Sequence, residues 1–264
     1  MGSRNTTIGA AGGLARALAS IERRQAGGAL PETGRLPSGH PALDSALGGG
    51  YPRGRIAEIF GSDASGKTAL ALLACASTQR AGGTAAFLDV EHALDERFAR
   101  RLGADLRTLL LSRPRDGDEA LSIAETLVRS NAVDLIVVDS AAALAPRREM
   151  ARRLSESDDR AGAAMIAAGL RDLCGLLRRS RACLLFLNQT RSRPGPGTEL
   201  SGEGTPGGRS IRLYAAARLE IERVRADAPP GNDPPVLSLR VRIVKHRASA
   251  KTRIARLDIP LGKA

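Results

Sequence analysis

The spacing of apolar residues divides the chain into distinct regimes. From residue 55 to residue 189, short runs that are apolar on both alternating faces (RIAEIF, TAAFLDV, TLLLS, DLIVVDS and ACLLFLNQ) are separated by longer stretches with a helical pattern. A strand that is apolar on both faces needs cover on both, and helices between such strands supply it. The rhythm predicts an α/β fold, a mostly parallel twisted sheet flanked by helices. Beyond Gly207 the helical period is lost. There SIRLYAAARLEIERV, VLSLRVRIVKH and TRIARLDIP read as strands that extend the sheet in antiparallel fashion, with APPGNDPP as the turn. Ahead of the core, residues 10–26 set Leu14, Leu18 and Ile21 on one helical face before a Gly-Gly stop, which predicts a small N-terminal helix. The Pro/Gly-rich stretch LPETGRLPSGHP reads as a linker, so residues 1–38 are expected as helix and linker and 39–264 as the core.

At 264 residues and 42% hydrophobic content, the chain is long enough to bury a full core as one large domain. Cys75, Cys174 and Cys183 stand singly in apolar stretches, which points to small buried hydrophobes in a reducing, cytoplasmic setting and away from a disulfide or zinc framework. The N-terminus lacks a signal-length apolar core and no stretch approaches the length of a membrane span, so neither export nor membrane insertion is expected. The formal net charge of +12 is carried almost wholly by arginine, clustered at 147–153, 178–181, 191–193 and 240–256. Arginine forks suit phosphate, which makes a polyanionic partner one explanation of this excess; an arginine-rich solvated surface is the other. With four Phe, two Tyr and no Trp, any nucleic-acid contact has to run through the backbone and not through base stacking.

Between RIAEIF and ALALLACAS lies GSDASGKT, with the spacing GxxxxGK[ST] at a strand-to-helix junction. Gly61 and Gly66 let the backbone curl so that its N–H groups and the helix N-terminus cradle phosphate, while Ser62, Asp63, Ala64 and Ser65 need only be compatible with the turn. Lys67 is placed to reach the β- and γ-phosphates, and Thr68 to bind Mg²⁺. A second metal carboxylate is expected at the end of a buried strand, where DLIVVD supplies Asp139. Glu91 is the candidate base for hydrolysis, although a lone Glu in such a place is more often an ordinary helix-entry carboxylate. His40 and His246 have no third ligand in register for a metal, and His92 reads as orienting the loop that carries Glu91.

The succession GSDASGKT, FLDVEHALD, LIVVDSAAALAP, LLFLNQTR, TPGGRSIRLYA and VRIVKHR, preceded by SGHPALDSALGGGYPRGRIAEIFG, is similar to the core of bacterial RecA recombinases over residues 14–260. The resemblance implies a RecA-like P-loop NTPase core that uses ATP and Mg²⁺. It implies that Glu91 activates water, that Asp95 and Phe98 lie beside the adenine, and that Gln189 senses the γ-phosphate. It further implies that Lys245 and Arg247 reach the ATP of a neighbouring subunit in a homo-oligomer or filament, with the N-terminal helix packing on the adjacent copy. Arg171 and Arg191 match cations that face single-stranded DNA, with Arg193 beside them. The chain departs from the family in its two DNA loops, where Asp158, Asp159 and a Pro/Gly-rich stretch with Leu200 replace the usual pattern, and where Ala164 replaces an arginine. Leu213 stands in place of an interface aromatic, and the family's C-terminal domain is not expected after the last strand.

Two function classes follow from the resemblance. The first is a DNA-dependent ATPase that assembles on single-stranded DNA in recombination, repair and the DNA damage (SOS) response. The second is an accessory protein that regulates or bridges a RecA filament and an error-prone translesion DNA polymerase, with little catalysis of its own. The intact set of Lys67, Thr68, Asp139, Glu91, Gln189, Lys245 and Arg247 favours the first.

Overall fold

The computed structural model describes residues 34–144, 159–190, 208–224, 236–246 and 253–261. The predicted N-terminal helix, most of both expected DNA loops, the APPGNDPP turn, and Arg191, Arg193 and Arg247 lie outside the described residues. In chain order the elements begin with β1 (Arg35–Leu36), α1 (Pro41–Leu47), β2 (Tyr51–Pro52), β3 (Arg55–Gly61), α2 (Lys67–Arg80) and β4 (Ala85–Asp89). Next come α3 (Glu96–Arg101), β5 (Leu110–Ser112), α4 (Gly117–Ser130), β6 (Leu135–Asp139), α5 (Asp159–Leu177) and β7 (Cys183–Gln189). The described chain closes with α6 (Gly208–Tyr214), β8 (Ala217–Arg223), β9 (Val236–His246) and β10 (Arg253–Pro260).

Eight of these strands form one sheet in the order β10-β9-β8-β3-β7-β6-β4-β5. The strands from β8 to β5 are all parallel, whereas β9 runs antiparallel to β8, and β10 to β9. The doubly apolar runs are therefore central strands: every residue of Ala85–Asp89 is buried, as are Ile56 to Gly61. One face packs Ala57, Ile59, Val137 and Leu185 against α1 and α2 through Leu43, Leu47, Leu70 and Leu72. The other packs Ile56, Ile136, Leu184 and Phe186 against α4, α5 and α6 through Ala124, Leu170, Leu173 and Ile211. Burial on both faces pushes the thiols of Cys75 and Cys183 up to about 12, as expected of inert core cysteines.

Two expectations need correction. SIRLYAAARLEIERV is not one strand but a helix followed by a strand, because Ile211 and Ala215 share a helical face on the core while Ala217, Leu219 and Ile221 alternate inward. The strand it contains, β8, is parallel to β3, so the antiparallel extension begins only at β9. The tail of the expected linker is also packed structure. Arg35 and Leu36 pair with Pro52 and Tyr51, Leu36 is buried, and His40 caps α1 by accepting from Ala42 N at 3.3 Å.

The amino ends of the strands are tied by a buried carboxylate. Asp134 accepts from Arg53 at 2.8 Å and from Thr84 N at 2.9 Å, with Arg181 Nε 3.1 Å away as a further compensating charge. This clamp leaves the opposite, carboxyl ends of β3, β4, β6 and β7 as the place where loops and functional side chains gather.

Candidate active site

GSDASGKT joins β3 to α2. A Cβ on Gly61 would lie 2.2 Å from the carbonyl oxygen of Ile221, so β8 presses directly on the first residue of the loop and only glycine fits. Gly66, with φ of 95°, sits at the helix N-cap in the left-handed region that favours glycine. Lys67 folds back over the loop: its Nζ donates to Gly61 O at 3.1 Å, Ser62 O at 2.6 Å and Ser65 Oγ at 3.5 Å. Burial lowers the pKa of this ammonium, against the opposing pull of Asp63, Asp139 and Glu91. These carbonyl contacts are ones an ammonium can trade for phosphate oxygens.

Thr68, in the first turn of α2, donates from Oγ1 to Asp139 Oδ2 at 2.9 Å. Desolvation at the end of β6 raises the Asp139 carboxyl to about 6; the Thr68 hydrogen bond and Lys67 lower it, and the charges of Glu91 and Asp89 raise it further. Hydroxyl and carboxylate oxygens are the hard donors that Mg²⁺ takes, one or two from protein and the rest from phosphate and water. Among the described residues no cluster of three or more His, Cys, Asp or Glu side chains could hold a metal ion.

Glu91 is exposed at a turn whose backbone N–H groups are all taken by two strand-ending aspartates. Val90 N and Glu91 N donate to Asp139 O at 2.7 and 3.3 Å, and His92 N to Asp89 O at 3.4 Å. Ala93 N and Leu94 N reach the Asp89 carboxylate at 3.0 and 3.2 Å. Ser140, buried next to Asp139, donates its hydroxyl to Glu91 Oε1. His92 has φ of 55°, and its Nε2 donates to Pro114 O at 3.0 Å, in keeping with an orienting role.

Gln189 ends β7 in register with Gly61, and Thr190 N donates to Gly61 O at 3.1 Å, so the root of the second expected loop is laced to the phosphate loop. Gln189 N is held by Asn188 Oδ1 at 3.0 Å, and Asn188 Nδ2 donates to Glu58 Oε1 at 2.9 Å. Glu58 also pairs with Arg218, whose guanidinium lies 4.5 Å over the ring of Phe60.

Some expected site residues are placed apart from this group. Asp95 caps α3, its Oδ1 accepting from Arg97 N at 2.8 Å and Phe98 N at 3.2 Å, and Phe98 is half-buried against the core. The Nζ of Lys245 takes the last-turn carbonyls of α6, Arg212 O at 2.7 Å and Leu213 O at 3.1 Å. Leu213 itself is 67% exposed, and Arg171 is exposed on α5. The sequence reading passed over Asp89, Ser140 and the Glu58–Arg218 pair. Asp89 carried a usable signal, since it ends a buried strand two positions before Glu91, as Asp139 ends another.

A GxxxxGKT loop leaving the middle of a parallel sheet, with a hydroxyl in its helix bonded to a strand-ending Asp, defines a P-loop nucleotide-binding protein. A family model of the RecA N-terminal domain matches residues 14–264. The chain is 42% identical over 261 residues to Protein RecA of Bacillus pumilus, covering 95% of this chain and 74% of that one. It is 45% identical over 237 residues to Protein RecA of Oceanobacillus iheyensis, covering 89% and 67%. With Protein RecA of Thermus thermophilus it shares 42% identity over 259 residues, covering 95% and 76%. The chain belongs to the RecA family, and its place among proteins of DNA recombination and repair rests on that membership. Among the described residues no helix is long and apolar enough to cross a membrane.

Proposed function

We propose that this chain is a DNA-dependent ATPase that binds Mg-ATP, assembles with copies of itself on single-stranded DNA and acts in recombination and repair in the cytoplasm. The observation that carries the reading is the convergence of Lys67, Thr68, Asp139 and Glu91 at the carboxyl ends of β3, β4 and β6. Lys67 exchanges the carbonyls of Gly61 and Ser62 for the β- and γ-phosphates, with Ser62, Asp63, Ala64, Ser65 and Gly66 enclosing them. Thr68 and Asp139 would hold Mg²⁺, which would supply positive charge to offset that of the phosphates. Glu91 takes a proton from the water that attacks the γ-phosphorus, as the bond to the ADP oxygen breaks. Ser140 keeps one carboxylate oxygen of Glu91 directed while the other faces the water.

Gln189, at the root of the loop after β7, reports the γ-phosphate to that loop, while Asp95 and Phe98 flank the base. Lys245 and Arg247 complete the site of an adjacent protomer, and Arg171, Arg191 and Arg193 hold DNA phosphates. The Lys245 contact with α6 supports a role outside its own protomer's phosphate loop. The deciding experiment is phosphate release with and without single-stranded DNA, for the wild type and Glu91→Gln. DNA-stimulated turnover lost in Glu91→Gln is expected; a wild type without turnover in Mg-ATP and DNA overturns the reading.

A further inference from the structure

The turn of residues 89–94 places Glu91, yet its support comes from a part of the chain with no chemical role of its own, the exit of β5. We infer that Arg113, acting through Asp89, is a positioning residue for Glu91, with His92 as a second tie from the same turn to the same segment. The inference rests on Glu91 being the base proposed above.

Asp89 is 2% exposed, and its carboxylate receives Ala93 N and Leu94 N, the two amides that close the turn after Glu91. Its register neighbour on β6 is Asp139, so two carboxylates end adjacent strands with a third, Glu91, close by. A buried carboxylate among like charges needs a cation beside it to offset their repulsion and hold it in place. Arg113 supplies it, with Nε 3.4 Å from Asp89 Oδ2, while Nη2 lies 3.9 Å from Glu96 Oε1 at the start of α3. The next residue, Pro114, is buried, and its carbonyl accepts from His92 Nε2 at 3.0 Å. Since a carbonyl only accepts, the ring carries its proton on Nε2. Two successive residues after β5 thus grip the turn on either side of Glu91, one by charge and one by a hydrogen bond.

The geometry separates placement from binding. Arg113 pairs with Asp89 and Glu96, and His92 with Pro114, whereas Lys67 bonds carbonyls of the phosphate loop itself and Thr68 bonds the Asp139 carboxylate. Loosening the turn at Asp89 moves the Glu91 carboxylate while the Lys67 contacts within the phosphate loop stay in place, and a displacement of about 1 Å at a reacting group lowers turnover by one to two orders of magnitude.

The test measures kcat for ATP, the Kd of a fluorescent ADP analogue and Tm in the full chain. Arg113→Met is expected to lower kcat about tenfold while leaving Kd within about twofold of wild type. Arg113→Lys, which restores the charge, recovers most of the rate. His92→Asn keeps tolerance for the left-handed backbone but cannot span to Pro114 O, and it too lowers kcat. Arg115→Gln, two positions away on an exposed pair with Glu119, leaves kcat at the wild-type value. A lower Tm with unchanged kcat in Arg113→Met means that Arg113 only braces the sheet edge, and overturns the inference. Glu91→Gln is run alongside: wild-type turnover there refutes the base itself, whereas loss of turnover there with full activity in Arg113→Met refutes only the positioning role.

Discussion

The hydroxyl of Thr68 and the carboxylate of Asp139 are 2.9 Å apart and bonded to each other, joining the first turn of α2 to the end of β6. Each oxygen is thereby held ready for a shared metal, and the carboxylate carries a proton affinity well above that of an exposed aspartate.

That affinity makes the site pH-sensitive. The Asp139 carboxyl is raised from 3.8 to about 6 in the folded chain, so its contribution to stability is fully present below the lower value and lost as pH rises through the upper one. Asp139→Asn, neutral throughout, should be more stable than wild type at pH 8 by about 3 kcal/mol, with the gap closing toward pH 4. Thermal melts across this range check the sign. Mg²⁺ must also displace the proton, so metal-dependent nucleotide affinity should weaken as pH falls below about 6.

Lys67→Ala should separate folding from binding. Without ligand its ammonium satisfies two carbonyls and a hydroxyl at the protein surface, so the variant should melt within a few degrees of wild type. Nucleotide affinity should drop about a hundredfold or more, because the ammonium is the main charge facing the phosphates. Isothermal titration with ADP gives the answer; affinity near wild type would show that the loop binds through its backbone alone.

The Glu58–Arg218 pair predicts strong non-additivity. Both side chains are at most 5% exposed, so removing either alone leaves a buried charge and should cost about 3–5 kcal/mol. Glu58→Leu combined with Arg218→Met should regain most of that loss in urea unfolding. Because Asn188 leans on Glu58 and holds the amide of Gln189, the double variant should still couple nucleotide to DNA less well than wild type.

DNA affinity should fall steeply with salt and be indifferent to sequence. Each phosphate neutralised contributes about 0.7 to the slope of log affinity against log salt. Replacing Arg191 and Arg193 by Ala should reduce that slope, and replacing Arg23 and Arg24 should leave it unchanged. Fluorescence anisotropy with a labelled oligonucleotide distinguishes the cases, and identical slopes for both variants would remove these two arginines from the DNA surface.

The parts legible in the chain were those written in local patterns. RIAEIF and DLIVVD announced central strands because such strands are apolar on both faces, and GSDASGKT announced its loop because phosphate binding needs glycine at fixed spacing. SIRLYAAARLEIERV misled because a short helix and a strand abut without a polar break, although Ile211 and Ala215 already carried the four-residue interval. Glu58 and Arg218 were not legible as partners: 160 positions separate them, and each looks like an isolated charge in an apolar run. The support of Glu91 escaped for the same reason, since Arg113 meets Asp89 only once β5 has joined the edge of β4.

The sheet order sets a condition on how the protein is made. β3 is complete at Gly61, yet the strands that flank it are Cys183–Gln189 and Ala217–Arg223. While the ribosome builds the intervening chain, the most central strand has emerged with both edges bare, for on the order of ten seconds at ordinary elongation rates. During that interval the β8 backbone that packs against Gly61 does not yet exist. A nascent chain halted before β8 therefore has the GSDASGKT sequence without the strand that packs on Gly61, and RIAEIF keeps a bare edge until β8 has been made.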